Sequence, residues 1–238
     1  MSKKTIALLL KSPMQAWGID SRFKHRTTFT YPTKSAVVGI ICAAMGIDKY
    51  APEANAKLKN LCDCKFYSYQ LHPSTEKELE KYKNTPILID YHTIGGGYNK
   101  SKPLHIGFAL AKEDDKLTIL TYRSYIQDAC FAVLLTYQQE LAEKVSEALK
   151  NPVWGMWLGR KSCIPSVPIY AGIYDSPENA LDLAIEKLNR VGTIKYKVGS
   201  ILFESTNFDD YETAIQDIPI DFKNRVFAHR NIQIDADI

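Results

Sequence analysis

The sequence predicts an α+β fold, and three stretches near its start lead to this prediction. Residues 5–11 are apolar almost throughout, as in a buried strand, and residues 34–45 have the composition of an apolar helix. Residues 65–71 then alternate apolar and polar side chains, as a half-buried strand does. Strand, helix and strand in this order are consistent with the first half of a split βαβ, ferredoxin-like unit.

The remaining predicted elements divide the chain into two parts. The apolar strand 129–135 and the helix after it complete the core of a first domain, 1–152. Pro152 and Gly155 mark a boundary, and residues 153–238 form a smaller, β-rich region. The other predicted elements are helices at 52–61, 138–149 and 177–188, strands near 194–203 and 225–234 with acidic loops between them, and an exposed charged connection at 72–85.

Residues 87–125 are predicted to be an insertion. Residues 87–91 and 116–125 read as strands, and Gly95-Gly96-Gly97 between them is a flexible break, since no phosphate-loop motif accompanies the glycines. The segment can therefore form a hairpin or finger that stands off the body. Candidate side chains lie where it meets the body: Asp90, His92, Arg123 and Tyr125. In the alternative interpretation, Asp90 and His92 only pair with backbone groups at the hairpin base.

Composition excludes several classes of protein. A chain of 238 residues with 45% hydrophobic and 24% charged residues is neither disordered nor fibrous. Its longest apolar run is too short to cross a bilayer, and the apolar stretch after Lys4 is too short for a signal peptide. We therefore expect a cytoplasmic protein with no membrane partner. The five cysteines and five histidines lack metal-ligand spacing, so we expect reduced thiols, no metal and no cofactor.

The net charge of +3 is distributed unevenly along the chain. Residues 1–50 contain eight Lys or Arg against two Asp, a surplus of six. Residues 175–238 contain seven Lys or Arg against twelve Asp or Glu, a deficit of five. Basic charge concentrated at the amino end indicates a local electrostatic footprint for an anionic partner.

The stretch 14–46 joins a short strand to the first helix through a loop that is both basic and aromatic. Its basic residues are Arg22, Lys24, His25, Arg26 and Lys34, with Trp17, Phe23, Phe29 and Tyr31 between them. This composition is typical of a loop that holds a phosphate backbone and stacks on bases. The alternative is a solvated surface loop whose aromatics fold back on the core.

The helix that begins at Lys34 supplies a second candidate anion site. Thr33, after Pro32, is placed to cap the helix, so the free N–H groups of its first turn would face the basic loop. Such a helix start favours a phosphate, with Lys34 and Ser35 as the nearest side chains. A further candidate backbone clamp follows Gly159: Arg160 and Lys161.

Six sequence blocks occur in an order that resembles a known family. The blocks are Gln15-Ala16-Trp17-Gly18, Arg26 with Pro32-Thr33-Lys34-Ser35, Asp90-Tyr91-His92-Thr93, Asp128-Ala129, Leu158-Gly159-Arg160-Lys161-Ser162-Cys163 and Arg225-Val226-Phe227-Ala228-His229-Arg230. In this order they resemble the CasD family, the crRNA 5′-handle-binding subunits of type I-E CRISPR Cascade, in the RAMP superfamily. The resemblance covers nearly the whole chain.

The resemblance implies an RRM-like RAMP domain with an inserted thumb hairpin and a smaller C-terminal β-rich region. It implies an RNA-binding subunit in antiviral defence that holds the crRNA 5′ handle. The implied protein partners are Cascade backbone subunits and the large subunit, and target DNA is reached only through the guide duplex. Carried onto this chain, the handle site would be lined by Gln15, Trp17, Arg22, Arg26, Thr33, Lys34 and Ser35, with Arg160 and Lys161 near it and the thumb within 87–125.

We expect a non-catalytic binding subunit, and two alternatives remain. A metal-independent endoribonuclease that processes CRISPR repeat RNA needs a general base and acid near the 2′-OH. Candidate groups exist, although no spacing ties any two into one site: His25, His92, Lys102 and His105. The second alternative is a free-standing RNA-binding regulator. Exposed apolar surface around Trp154 and Trp157 would favour a subunit of an assembly instead.

Overall fold

The computed structural model describes residues 2–19, 24–83, 87–94, 119–205 and 213–236. These residues form a mixed α+β fold whose sheets are mostly antiparallel. The helices are α1 (Lys34–Ala44), α2 (Ala54–Cys62), α3 (Glu76–Lys83), α4 (Gln139–Lys150) and α5 (Pro177–Val191). The strands are β1 (Lys3–Lys11), β2 (Met14–Gln15), β3 (His25–Arg26), β4 (Lys65–Pro73), β5 (Leu88–Ile94), β6 (Ile119–Gln127), β7 (Cys130–Gln138), β8 (Tyr170–Tyr174), β9 (Tyr196–Glu204), β10 (Thr213–Asp221) and β11 (Val226–Asp235).

A seven-stranded antiparallel sheet with the order β10-β11-β9-β4-β7-β1-β8 forms the centre of the fold. Helices cover both of its faces. On one face Ile6, Leu8 and Leu10 of β1 pack with residues of α1, α2 and α4, and on the other Ala7 and Leu9 pack with α5. Because β1 is covered on both sides, it is apolar at consecutive positions instead of alternating.

The short strands β2 and β3 lie within the predicted loop, and three longer elements also differ from the sequence prediction. Residues 72–85, predicted to be an exposed connection, contain the end of β4 and helix α3. Thr75 and Glu78 have the spacing of a capping box, and the Thr75 hydroxyl donates to Glu78 Oε2 at 2.7 Å. The sequence therefore contained a signal for the start of this helix. Strand β8 was not predicted, and β10 occupies a region predicted to be an acidic loop.

A smaller sheet lies at the base of the predicted insertion. Tyr122 and Arg123 of β6 pair with β5 on one edge, antiparallel, and with β3 on the other, parallel. Strand β2 pairs with the last two residues of β6. β5 and β6 therefore provide the two arms expected for the finger, while its tip, including Gly95-Gly96-Gly97, lies outside the described residues.

Strands from both predicted domains share the main sheet, since β8, β9, β10 and β11 extend it beyond β1 and β4. The division into 1–152 and 153–238 stays a prediction. In the described ranges, none of the helices combines the length and apolar character needed to span a membrane. Burial raises the pKa of the Cys42 and Cys130 thiols to about 12, which makes both poor nucleophiles.

Candidate nucleic-acid interface

The start of helix α1 is closed by protein. The backbone N–H of Lys34 donates to Asp217 Oδ2 at 2.7 Å, and the same carboxylate accepts two hydrogen bonds from the Arg230 guanidinium, at 2.7 and 2.9 Å. The Asp217 and Arg230 side chains are each 1% exposed. A carboxylate therefore already occupies the position that the sequence predicts for a phosphate.

The structure thus contradicts the anion site predicted at this helix. Thr33 is fully buried and its side chain makes no capping hydrogen bond to the helix. The buried Lys34 ammonium donates to the Cys64 carbonyl at 3.3 Å and lies 3.5 Å from Glu204 Oε2. Half-buried Ser35 lies with its hydroxyl 3.4 Å from that of Thr33. Lys34 anchors α1 to β9 and β10, and neither buried Lys34 nor buried Thr33 faces a ligand.

Gln15 and Trp17, also predicted to bind RNA, instead stabilise the fold. The buried Gln15 amide donates to two backbone carbonyls, at 3.1 and 2.6 Å. Trp17 has no exposed surface, and its backbone forms an isolated bridge with Phe29. The alternative that the loop aromatics fold back on the core is confirmed for Trp17, Phe29 and Tyr31. Residues 20–23 of this loop, which include Arg22 and Phe23, lie outside the described part of the chain.

The small sheet places its side chains in two rows on opposite faces. β3, β6 and β5 are in register, so one row across the three strands consists of Arg26, Arg123 and Asp90. The adjacent register positions form a second row of His25, Tyr122 and Tyr91. Because successive side chains of a strand point to opposite faces, the sheet has an arginine face and an aromatic face.

Four arginines are grouped around Arg26, and we call them the arginine cluster. Arg123 is in register with Arg26, the Arg160 guanidinium donates to the Arg26 carbonyl, and Arg225 is close enough for its charge to act on Arg26. Burial is the largest cause that lowers the pKa of Arg26, and the positive charges of the other three lower it further. Tyr125 acts in the opposite direction and raises the pKa of Arg26, but it is the smallest of these causes. The carboxylate of Asp90, although in register with Arg123, lies 3.7 Å from His92 Nδ1. The cluster is therefore a concentrated positive site.

Arg160 holds this cluster together. Its Nη1 donates to the Ser124 carbonyl and its Nη2 to the Arg26 carbonyl, both at 2.9 Å, so it links β6 to β3. Its guanidinium lies 4.4 Å from the centroid of the Tyr125 ring. Tyr125, only 5% exposed, thus supports Arg160 instead of facing a ligand, whereas the neighbouring Lys161 is exposed.

The position of Arg160 depends on Gly159. Gly159 has φ +99, and a Cβ there would lie 1.8 Å from the Ala16 carbonyl oxygen, so only glycine fits. The backbone N–H of Ala16 donates to the Leu158 carbonyl at 3.1 Å, which docks the loop on the segment after β2. Two of the blocks singled out in the sequence therefore meet here and position Arg160 jointly.

Arg225 is a candidate site residue that the sequence analysis did not select. It ends the turn between β10 and β11 with φ 55, in the left-handed region that residues other than glycine rarely adopt. The Asp221 carboxylate holds this turn by accepting hydrogen bonds from the Asn224 backbone N–H at 2.9 Å and side-chain amide at 2.7 Å. Strain kept at an exposed arginine beside three others points to a function for its side chain. Its place in the last sequence block was the only signal for it.

Comparison with known proteins identifies the family. The family model described as CRISPR-associated protein (Cas_Cas5) matches residues 5–233. The chain belongs to the Cas5 family. A relative of this Cas5 chain, "CRISPR system Cascade subunit CasD" of Escherichia coli (strain K12), is 29% identical over 183 residues, which cover 74% of this chain and 75% of the relative. The resemblance to CasD proteins is therefore confirmed.

Two solved structures resemble this Cas5 chain over almost its whole length. One, described as a "CRISPR RNA-guided surveillance complex", has a TM-score of 0.68 at 25% identity. The match covers 97% of this chain and 88% of the chain in that structure. The other, described as "Crystal structure of Cas protein", has a TM-score of 0.62 at 25% identity and covers 97% and 93%.

Proposed function

We propose that this Cas5 protein is a non-catalytic, RNA-binding subunit of a type I-E Cascade surveillance complex and that it holds the crRNA 5′ handle. The observation that carries the proposal is the arginine cluster, in which four cations from separate parts of the chain converge. The CasD relative is a Cascade subunit, and one similar structure is of an RNA-guided complex, which supports the assignment.

The chemistry of the cluster fits a phosphate backbone. Arginine presents a planar fork of donors that matches phosphate oxygens, and a polyanion would relieve the repulsion among the four guanidinium groups. In the described part of the chain, the buried Nε of Arg123 has no hydrogen-bond partner. A buried donor without a partner is unfavourable, so a phosphate oxygen reaching Arg123 would satisfy it. His92 and exposed Lys161 belong to the same proposed site.

The proposal includes protein partners. The exposed side chains of Trp154 (48%) and Trp157 (38%) support docking against Cascade backbone or large subunits. Target DNA would be reached only through the guide duplex, with the finger as the thumb. The strand order β8-β1-β7-β4, with α1 after β1 and α4 after β7, supports the ferredoxin-like assignment within this proposal.

The proposal is tested with the double variant Arg26→Ala/Arg123→Ala, co-expressed with the products of neighbouring genes. We expect the purified particle to contain at least about tenfold less RNA than the wild-type particle, because each charge-assisted hydrogen bond contributes roughly 1.5–3 kcal/mol. The measurement is RNA per particle, followed by sequencing of the recovered RNA. Lys57→Ala is the matched control, since Lys57 is exposed on α2 beside Glu53. Full RNA recovery with the double variant would contradict the proposal.

Replacing Arg225 with glycine tests its role in RNA binding separately from its effect on the stability of the fold. Glycine tolerates φ 55, so we expect the free energy of unfolding to stay level or rise by up to about 1 kcal/mol, while RNA affinity falls. The measurements are chemical denaturation and RNA titration of the same preparation. Asn224→Ala is the control: it removes the side-chain hydrogen bond to Asp221 without removing a charge and should lower stability only. Unchanged RNA affinity in the Arg225 variant would remove Arg225 from the site.

The alternative of a metal-independent endoribonuclease gains no support from His25 and His92, and its other two candidate groups, Lys102 and His105, lie outside the described residues. His25 lies on the aromatic face of the small sheet, whereas His92 is in register with Thr121 and therefore lies on the opposite face. The two rings thus cannot act together as acid and base on one 2′-OH. Incubation of the purified protein with CRISPR repeat RNA in chelator should leave the RNA intact. Site-specific cleavage there would establish the enzyme instead.

A further inference from the structure

The aromatic face of the small sheet carries three rings side by side. His25 and Tyr122 are stacked, with centroids 5.0 Å apart and an angle of 5° between their planes. Tyr91 meets Tyr122 edge-on, with centroids 5.5 Å apart. We call these three residues the aromatic row. They come from β3, β6 and β5, so the register of the sheet fixes their spacing.

The aromatic row is exposed. Tyr91 is 56% and Tyr122 36% exposed, and His25 is exposed as well, so these rings do not contribute to either core cluster. Aromatic side chains usually bury most of their surface, and a row of them left outside marks a binding surface. His25 and Tyr122 hold each other by stacking, and Tyr91 meets Tyr122 edge-on, so a base that stacks on an outer ring face would cost little side-chain freedom.

We propose that the aromatic row is a stacking platform for unpaired nucleobases of the RNA strand whose phosphates the arginine cluster holds. The inference rests on the proposed function and adds base contacts to it. His25 and Arg26 are consecutive in β3, and Tyr122 and Arg123 are consecutive in β6. At this edge of the sheet only β3 separates the two faces. β3 has two residues, and one strand is about 4.8 Å wide.

The chemistry of the row favours a base over a protein side chain. Bases stack on Tyr and His rings regardless of sequence, because every base has a π-face. Exposed Lys24 precedes His25 in the chain, and its carbonyl accepts the Tyr122 backbone N–H at 2.7 Å, so a cationic residue lies at the start of β3. Ile89, which is 62% exposed, lies on the same face of β5 as Tyr91.

The test compares two single-stranded RNA probes with equal phosphates: a 12-nucleotide oligoadenylate containing one 2-aminopurine, and the same strand with abasic positions. The wild-type full chain should bind the base-containing strand about tenfold more tightly and quench the 2-aminopurine fluorescence. Tyr122→Leu and Tyr91→Ala should remove this difference while leaving the salt dependence unchanged. Tyr122→Phe keeps the ring and should retain the difference in affinity between the two probes. Ile89→Ala controls for general changes to this face.

The outcomes distinguish this inference from the proposed function. Equal affinity of the wild type for both probes would overturn the base platform and leave the arginine cluster standing. Failure of both probes to bind would overturn both. If Tyr122→Leu keeps the preference for the base-containing strand but loses a protein subunit on co-purification, the row is a protein contact and the base platform is wrong.

Discussion

Asp217→Ala is expected to lower the free energy of unfolding by about 3–5 kcal/mol, because it leaves the Arg230 guanidinium buried without its counter-charge. It also removes the acceptor of the Lys34 backbone N–H at the start of α1. Urea denaturation of the full chain measures the effect. This is a loss large enough to unfold a marginally stable domain.

Two further variants show whether the loss of stability comes from breaking the buried pair of Asp217 and Arg230. Asp175→Ala removes an exposed carboxylate paired with Lys4 and should cost less than about 1 kcal/mol. The double variant Asp217→Leu/Arg230→Met removes both charges and should regain much of the lost stability, since an apolar pair avoids the buried unpaired cation. A loss for Asp217→Ala no larger than that for Asp175→Ala would show that α1 is not anchored as described.

Gly159→Ala is expected to have the second large effect, and on two properties at once. A Cβ at φ +99 would lie 1.8 Å from the Ala16 carbonyl oxygen, so the loop has to move away from the segment after β2. The strain alone costs about 1–3 kcal/mol, and the movement would break the hydrogen bonds of Arg160 to β3 and β6. Thermal unfolding and RNA titration should therefore both show a decrease.

Gly192→Ala is the matched control for this substitution. Gly192 follows α5 in an extended conformation, and the nearest atom to a Cβ there is the Ile194 nitrogen at 4.0 Å. Its thermal midpoint and RNA affinity should match the wild type. If Gly159→Ala also behaves like the wild type, the loop does not depend on this close approach, and Arg160 is positioned by other contacts.

The predictable part of the fold is the part that is covered on both sides. β1 and β7 are apolar at consecutive positions because helices pack on each face of the sheet, and both were read from that pattern. The two missed strands, β8 and β10, are the edges of the same sheet. An edge strand tolerates Pro219 and the charged residues of β10, so its sequence resembles a loop.

The site was partly predictable for a related reason. Arg123 and Tyr125 were placed correctly at the finger base because the two finger strands were visible in the sequence. Lys34 was misread because a helix start with a preceding threonine looks open, and nothing local reveals that Asp217, far along the chain, covers it. Arg225 joins the cluster only through the turn between β10 and β11, where β10 itself was not predicted.

RNA phosphates are expected to bind at the arginine cluster and not at the start of α1. The most direct measurement is the slope of log affinity against log salt concentration for a single-stranded RNA. For Arg26→Ala, Arg123→Ala and Arg225→Gly, we expect each slope to become shallower by about 0.7, the value for one lost phosphate contact. Lys34→Ala should destabilise the fold and leave the slope unchanged, because its ammonium is buried against Cys64 and Glu204. The opposite pattern, with a shallower slope for Lys34→Ala alone, would contradict the account.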